Sequence, residues 1–433
     1  MNEDMMFNFL RKLFKDKRGN ALIIAAAALP LMVGSAGLAT DTIQWAMWKR
    51  QLQRAADSAA IAGVYDRINN AGQTDTTATA IAHDISLNQH TGLSLQAGYP
   101  KIVYPANSGT KVNQVQVQLA VQRKLSFSGL FMKNPPLILT TATAAGVPGT
   151  DEFCVVSLEP SAAQTGIQIN GNAGMDLDCS LMSNSPSNNS AYAKGSSVVS
   201  AKSIAAVGGI QQSSNWNVDS YQPYSPSLSD PFSSVNPSPS DMNCKNAALT
   251  ETTNLNLTDA SGKKYNCFSS LSVGPNKTLA LPDGTYYVNA GDAFIQGTIS
   301  CTACTIVLTN SSTSSTAPIG SFKVNSTANL NLNAPATGTF KGIAIYQDRR
   351  STNNSNKING NSNSVINGAV YFPSSSLDYN GTGNTSATCT QLVARDLSFS
   401  GNSATSNKFK KSASCGAYGN KTIQGGTRVR LVA

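Results

Sequence analysis

Between Asn20 and Thr40 the chain reads NALIIAAAALPLMVGSAGLAT, twenty-one residues without a formal charge. As a helix this stretch is long enough to cross a hydrocarbon core of about 30 Å, so everything after it inherits one side of a membrane. Immediately upstream stand Arg11, Lys12, Lys15, Lys17 and Arg18, with Asp16 the one acid among them. Basic residues flanking a span stay in the cytoplasm, so residues 1–19 read as a cytoplasmic tail, 20–40 as a transmembrane helix, and the remainder as exported chain. Cleavage as a secretory signal near Ala36 or Ala39 is the competing reading. The apolar run is longer than a usual signal core, and helical sequence continues past it. Pro30 should kink the span, and Gly34, Ser35, Ala36 and Gly37 offer a thin face to another helix.

Charged residues make up only 13% of the 433, and Ser, Thr, Asn and Gly crowd the second half, a composition that suits an exported β protein better than a helical cytosolic enzyme. The net charge of +9 is spread thinly, with no basic cluster interleaved with aromatics beyond the one before the span, which argues against nucleic-acid binding. All eight cysteines, Cys154, Cys179, Cys244, Cys267, Cys301, Cys304, Cys389 and Cys415, fall after residue 150. An even number confined to the exported side points to disulfides formed outside a reducing compartment. His83 and His90 have no cysteine nearby and no HExxH pattern, so they read as surface residues and no metal site is expected. No phosphate-binding glycine loop is present, and no cofactor is expected.

After the span, Asp41 to Asn70 keeps a helical period. Leu52, Ala55, Ala56, Ala59, Ala62 and Gly63 form a close-packing face, while Lys49, Arg50, Arg54, Asp57 and Arg67 occupy others. Trp45 and Trp48 lie about a turn past the apolar run, where indoles favour a membrane interface; with the five basic residues they form the expected interfacial anchors, and packing within the stalk is the other reading. A second helix is expected over Thr76 to Asn88. Val112 to Val121 alternates strictly, the phrase KLSFSGLFM from Lys124 to Met132 follows, Pro135 and Pro136 interrupt, and Leu137 to Ala145 is a further strand. Residues 41–150 therefore read as an α+β stalk domain whose sheet covers the helical face.

Lys17-Arg18 before Gly19-Asn20, the Ala-rich span with Pro30, Asp41, the run RQLQRAADSAA from Arg50 to Ala60, and LSFSGLF followed by LTTATA from Leu139 together resemble the N-terminal region of TadG-like proteins, over about residues 17–147. The resemblance implies a single-pass inner-membrane protein facing the periplasm, a non-enzymatic accessory of tight-adherence (Flp/Tad) pilus assembly or anchoring. Its implied partners are the bilayer and other pilus-assembly proteins or pilin-like subunits, with self-association a further option. Two features depart from relatives. The Asp-x-Ser-x-Ser run of a von Willebrand A domain does not follow Val155 and Val156, and Ile24 stands where pseudopilins carry Glu five residues after the cleavage glycine.

From Gly166 onward short alternating runs recur between Asn, Gly and Ser clusters, among them Ile167/Ile169, Ile306/Leu308, Leu330/Leu332, Ile343/Ile345 and Leu397/Phe399. Many short strands with regular turns imply a β-sandwich or a β-solenoid. The repeated Ile-Asn-Gly at Ile169, Ile358 and Ile366 favours an interrupted parallel solenoid over 151–433, as do the 25-, 23- and 26-residue separations of Cys154/Cys179, Cys244/Cys267 and Cys389/Cys415. Residues one coil apart in stacked rungs lie about 4.8 Å apart, within reach of a disulfide. Cys301 and Cys304 form a CxxC flanked by strand-like sequence on both sides, which reads as a structural bridge. Ser213 to Ser240, rich in Pro and Ser, reads as a surface excursion or a linker between lobes. The expected architecture is thus a single N-terminal transmembrane helix continuing into an α+β stalk, then a disulfide-braced β-rich domain. Neither histidine lies in the β region, which removes the usual general base. Asp176 and Asp178 on one strand face are the best acid pair for a glycan-cleaving enzyme, though two solvated carboxylates are the plainer reading. A surface adhesin or glycan-binding solenoid is the other alternative to a pilus accessory.

Overall fold

The computed structural model describes residues 19–70, 73–88, 94–251, 257–258, 260–352, 356–360, 364–381, 384–387, 389–401, 404–407, 413–425 and 427–432. The five basic residues expected to anchor the cytoplasmic side, Arg11 to Arg18, lie outside them, as does His90. The chain divides into two compact units, residues 1–147 with 429–433, and residues 148–428.

In the first unit one helix runs from Gly19 to Asn69 with Pro30 inside it. It is long and apolar enough to cross a membrane by length and composition. Its two parts face different surroundings. From Ile24 to Thr40 its side chains are almost all exposed, Ile24, Leu29, Leu31, Met32, Val33 and Leu38 among them. From Asp41 onward one stripe is buried: Asp41, Trp48, Leu52, Ala55, Ala56, Ala59, Ala60, Gly63 and Val64. That spacing keeps one face of a 3.6-residue helix against protein. The partners are Ile81 and Ile85 of the second helix, Thr74–Asn88, and Val115, Val117, Leu119 and Val121 of the sheet. Small residues set the approach. A Cβ on Gly63 would lie 2.9 Å from Ile81 Cδ1 and 3.0 Å from Val115 Cγ1.

Strands β1 (Lys101–Val103), β2 (Val112–Val121) and β3 (Ile138–Pro148) pair antiparallel in sequence order, and the final strand Thr427–Leu431 takes the other edge of β3. The last residues therefore belong to the first unit, where the sequence assigned the whole of 151–433 to one β domain. An edge strand left open is a site of wayward pairing, and the returning chain closes it. Within the KLSFSGLFM phrase, Ser128–Phe131 is one helical turn at the tip of the β2–β3 hairpin.

The second unit is a β-rich body, and among the described residues every pairing between two of its strands is parallel, apart from isolated antiparallel bridges such as Glu152 to Gln424. The strand network closes on itself, barrel-like. One column of residues shows the order. Cys244 pairs with Cys267, then in turn follow Tyr287, Val307, Tyr346, Tyr371, Val393, Val156, Met182, Ala205 and Gln222. The first strand of the body, Phe153–Ser157, thus pairs on one side with Thr390–Ser400, near the body's end, and on the other with Ser180–Ser183. The chain enters in the middle of the ladder, builds to Gln222, crosses to Cys244 and builds back. Residues 223–243 connect the strands of Gln222 and Cys244. The Pro/Ser-rich excursion is therefore a strap within one compact unit and does not link two lobes.

Both faces of the central strands are buried. Phe153–Ser157, Cys304–Thr309 and Ile343–Gln347 are buried at every position. One face holds Val155, Leu181, Ile306, Ile345, Val370 and Leu392 in the inner core. The other holds Val156, Met182, Tyr287, Val307, Tyr346, Tyr371 and Val393, covered by Leu228 and Phe232 of the strap and by Phe340 and Ile423.

Ala56 is fully buried where helix meets sheet, so Ala56→Leu forces extra methylenes into a filled contact. We expect a loss of about 1–3 kcal/mol, read as a lowered first transition in thermal unfolding of the detergent-solubilised chain, with Ala46→Leu on the exposed side as the silent control.

Candidate functional site

The point at which the long helix stops being bare and starts being packed is built from four residues. Asp41 sits on the buried stripe one residue past the apolar stretch. Its carboxylate accepts the backbone N–H groups of Phe127, at 3.2 Å, and Ser128. These are the leading donors of the helical turn Ser128–Phe131, whose N-cap residue, Phe127, offers no side-chain cap of its own. A helix start leaves such donors without partners, and a carboxylate from another element satisfies them with charge-assisted bonds. One turn earlier, Gly37 is buried, and any Cβ there would run into the ring of Phe127. The Phe127 ring therefore fills the space that a side chain at 37 would take, while Asp41 holds its backbone. Together they fasten the hairpin tip beside the last turn of the apolar stretch.

Residues 19–67 match the Flp pilus-assembly TadE/G-like family model. The TadE/G-like match covers the long helix to within two residues of its end and nothing of the β-rich body. No curated protein and no solved structure matches the chain. A pilus-assembly role and a membrane helix are what the family match supports, and the body must be read from its own residues.

Within the TadE/G-like helix, the close-packing face is occupied by the chain itself. Leu52, Ala55, Ala56, Ala59 and Gly63 lie against the second helix and the sheet of the same chain, with Ala62 half-buried at their edge. Small side chains bring the helix close to its own sheet, so this stripe is unavailable to another protein. Of the residues expected at a membrane interface, Trp48 is in this core and Trp45 packs at its margin, half-buried. The indole of Trp48 is thus spent on protein contacts, because the stripe that begins at Asp41 includes it. Of the thin face, Gly37 is taken by Phe127 and Gly34 faces open space. Sequence reasoning missed Asp41 as a cap. An acid directly after a span is the signal that could have found it, since such a carboxylate is either solvated or has a built partner.

The body carries the four disulfides, Cys154–Cys179, Cys244–Cys267, Cys301–Cys304 and Cys389–Cys415, with Cα atoms 4.1 to 6.0 Å apart. Cys244 and Cys267 are direct partners in the parallel ladder, so the covalent bond joins residues the hydrogen bonds already place side by side. The three longer loops each restrict the unfolded chain by on the order of 3 kcal/mol.

The acids considered for catalysis are not gathered into a site. Asp176 is exposed on the strand Gly174–Leu177, but Asp178 is half-buried in the bend that follows it, so the two do not share a strand face. Asp348 is buried and serves the framework: it accepts from Thr309 Oγ1 at 2.7 Å and pairs with Arg350 at 2.8 Å. Burial alone would raise its pKa, but the hydrogen bonds and charge of Arg350 and the Thr309 hydroxyl outweigh that and hold the carboxyl below its ordinary value. Neighbouring Arg349 holds the strap. It donates to the carbonyls of Phe232, Ser233 and Val235, to Asn236 and to Tyr371 Oη, and pairs with Asp230 at 3.4 Å. Tyr371 Oη donates to the same Asp230 at 2.6 Å, and Tyr346 Oη to Val235 O at 2.9 Å. Phe232 completes the clasp edge-on to the Tyr371 ring.

Two outcomes follow from these contacts. Because the folded pKa of Asp348 lies below its ordinary 3.8, its stabilisation is present above that value and disappears as the pH falls through the lowered one. In acid titration monitored by unfolding, Asp348→Asn is therefore less stable than the native chain near neutrality, and the gap closes below about pH 4. Arg349→Ala removes hydrogen bonds to a charged group, worth about 1.5–3 kcal/mol, so chymotryptic cleavage at Phe232 should quicken roughly tenfold or more while the rest of the body resists.

Proposed function

We propose that the chain is an inner-membrane-anchored, periplasm-facing accessory of Flp pilus assembly or anchoring that acts by protein–protein contact. The observation that carries this reading is the TadE/G-like match on a helix whose first part is apolar and bare and whose second part is packed. Orientation is supported by the basic residues 11–18 before the apolar stretch and by eight cysteines, all beyond it and all paired. We read the β-rich body as a stacked parallel β-solenoid, a view supported by the single in-register column from Cys244 to Gln222. With the alanine stripe occupied internally, the surface left for pilus partners on the long helix is its outer side, where Lys49, Arg50 and Arg54 are exposed.

The test is photo-cross-linking in intact cells from probes at Arg54 and at Val198, an exposed apolar residue of the body. Capture of pilus-assembly proteins or pilin-like subunits is the expected result, and protease added to spheroplasts should remove a tag placed after Ala433. A tag protected in spheroplasts would overturn the orientation. Cells that lack the protein yet keep their pilus number and lose only attachment would favour the adhesin reading.

A further inference from the structure

The hairpin tip presents apolar side chains that its own fold leaves uncovered. Leu130 is 77% exposed and Phe131 75%, with Met132 and Leu137 also open. The tip from Gln122 to Leu137 carries Arg123, Lys124 and Lys133 and no acid, and all three basic residues are exposed. Its position along the long helix is set by two independent contacts. Gly63 meets Val115 near the start of β2, and Gly37 and Asp41 meet Phe127 and Ser128 beyond its end. The hairpin therefore runs antiparallel to the helix and points toward the helix's apolar end. Gly37 lies inside the stretch Asn20 to Thr40, so the tip stands level with its last turn, beside the exposed Leu38.

We propose that this tip is a second membrane contact: Leu130 and Phe131 insert into the interfacial layer of the leaflet from which the long helix emerges, and Arg123, Lys124 and Lys133 meet anionic headgroups. The inference rests on the reading that residues 20–40 span the bilayer. A bilayer is the occupant the page favours because the patch is continuous with the bare apolar helix and because its only charges are positive, the composition of an interfacial anchor. The fastening by Asp41 then has a function. It sets the depth of the wedge relative to the span, fixing the tilt of the helix as it leaves the membrane.

The experiment uses the full chain in nanodiscs containing anionic lipid, with a nitroxide introduced under non-reducing conditions at one position at a time. Phe131→Cys and Leu130→Cys report on the tip, Leu31→Cys on the span, and Ser108→Cys, exposed at the far end of the sheet, on water. Collisions with oxygen relative to a water-soluble nickel chelate should be several-fold higher at 131 and 130 than at 108, approaching the value at 31. Lipid-like behaviour at 31 with water-like behaviour at 131 and 130 overturns the wedge and leaves the span intact. Water-like behaviour at 31 as well overturns the span reading itself. Spin–spin broadening at 131 would show a second copy covering the tip and would also overturn the proposal.

Discussion

A single helix has to satisfy two surroundings, and the change is made at Asp41. A buried carboxylate is costly unless it accepts hydrogen bonds, and here Oδ2 accepts two backbone N–H groups that would otherwise lack partners at the start of a helical turn. Each group removes the other's penalty. The bond is also geometric, because it ties the hairpin tip to one helical turn and so fixes the register between helix and sheet. From that turn onward the alanines can lie on the sheet, since Ala56, Ala59 and Ala60 present no side chain long enough to hold it away. The stripe from Leu52 to Val64, the second helix and the β2–β3 pair all pack on the part of the helix that begins at this fastening.

The body depends on a different constraint, that parallel strands in register repeat the same two faces at every step. In the column from Tyr287 to Met182 the outward residues are Tyr, Val, Tyr, Tyr, Val, Val and Met, and a second layer of protein must cover them. The strap supplies that layer with Leu228 and Phe232, and Arg349 fixes it through carbonyl oxygens that a Pro-rich, irregular segment leaves without strand partners. A segment of this composition, without regular hydrogen bonding of its own, stays down because an arginine from the ladder accepts the role of partner to its backbone.

How much of this was legible follows from the same physics. The apolar stretch, the alanine period and the alternation of Val115, Val117, Leu119 and Val121 are local patterns, and each appears in the structure as a bare helix, a buried stripe and the inward face of β2. The hairpin tip was not legible, because LSFSGLF has the apolar density of a strand and only the distant Asp41 makes a helical turn there favourable. In the body, runs such as CVVS and IAIYQ are buried on both faces, so the sequence pattern could mark IAIYQ as a strand without saying which face met what. The role of Arg349 depends on contacts more than a hundred residues away, beyond any window of sequence.

The order of the ladder explains why a strap exists at all. The body does not begin at one end of its column and finish at the other. Instead Thr390–Ser400 closes onto Phe153–Ser157, and the exit runs beside the entry: Phe153 N–H donates to Ile423 O, Gly425 N–H to Asp151 O, and Arg428 pairs with Asp151. A chain that leaves where it came in can return its last residues to the open edge of β3, where Val432 N–H reaches Thr143 O at 2.8 Å. The cost of starting mid-ladder is one long crossing, which lies against the outward residues of the strands. The Pro/Ser-rich segment, the aromatic column beneath it and the returning final strand are thus three results of one choice of strand order.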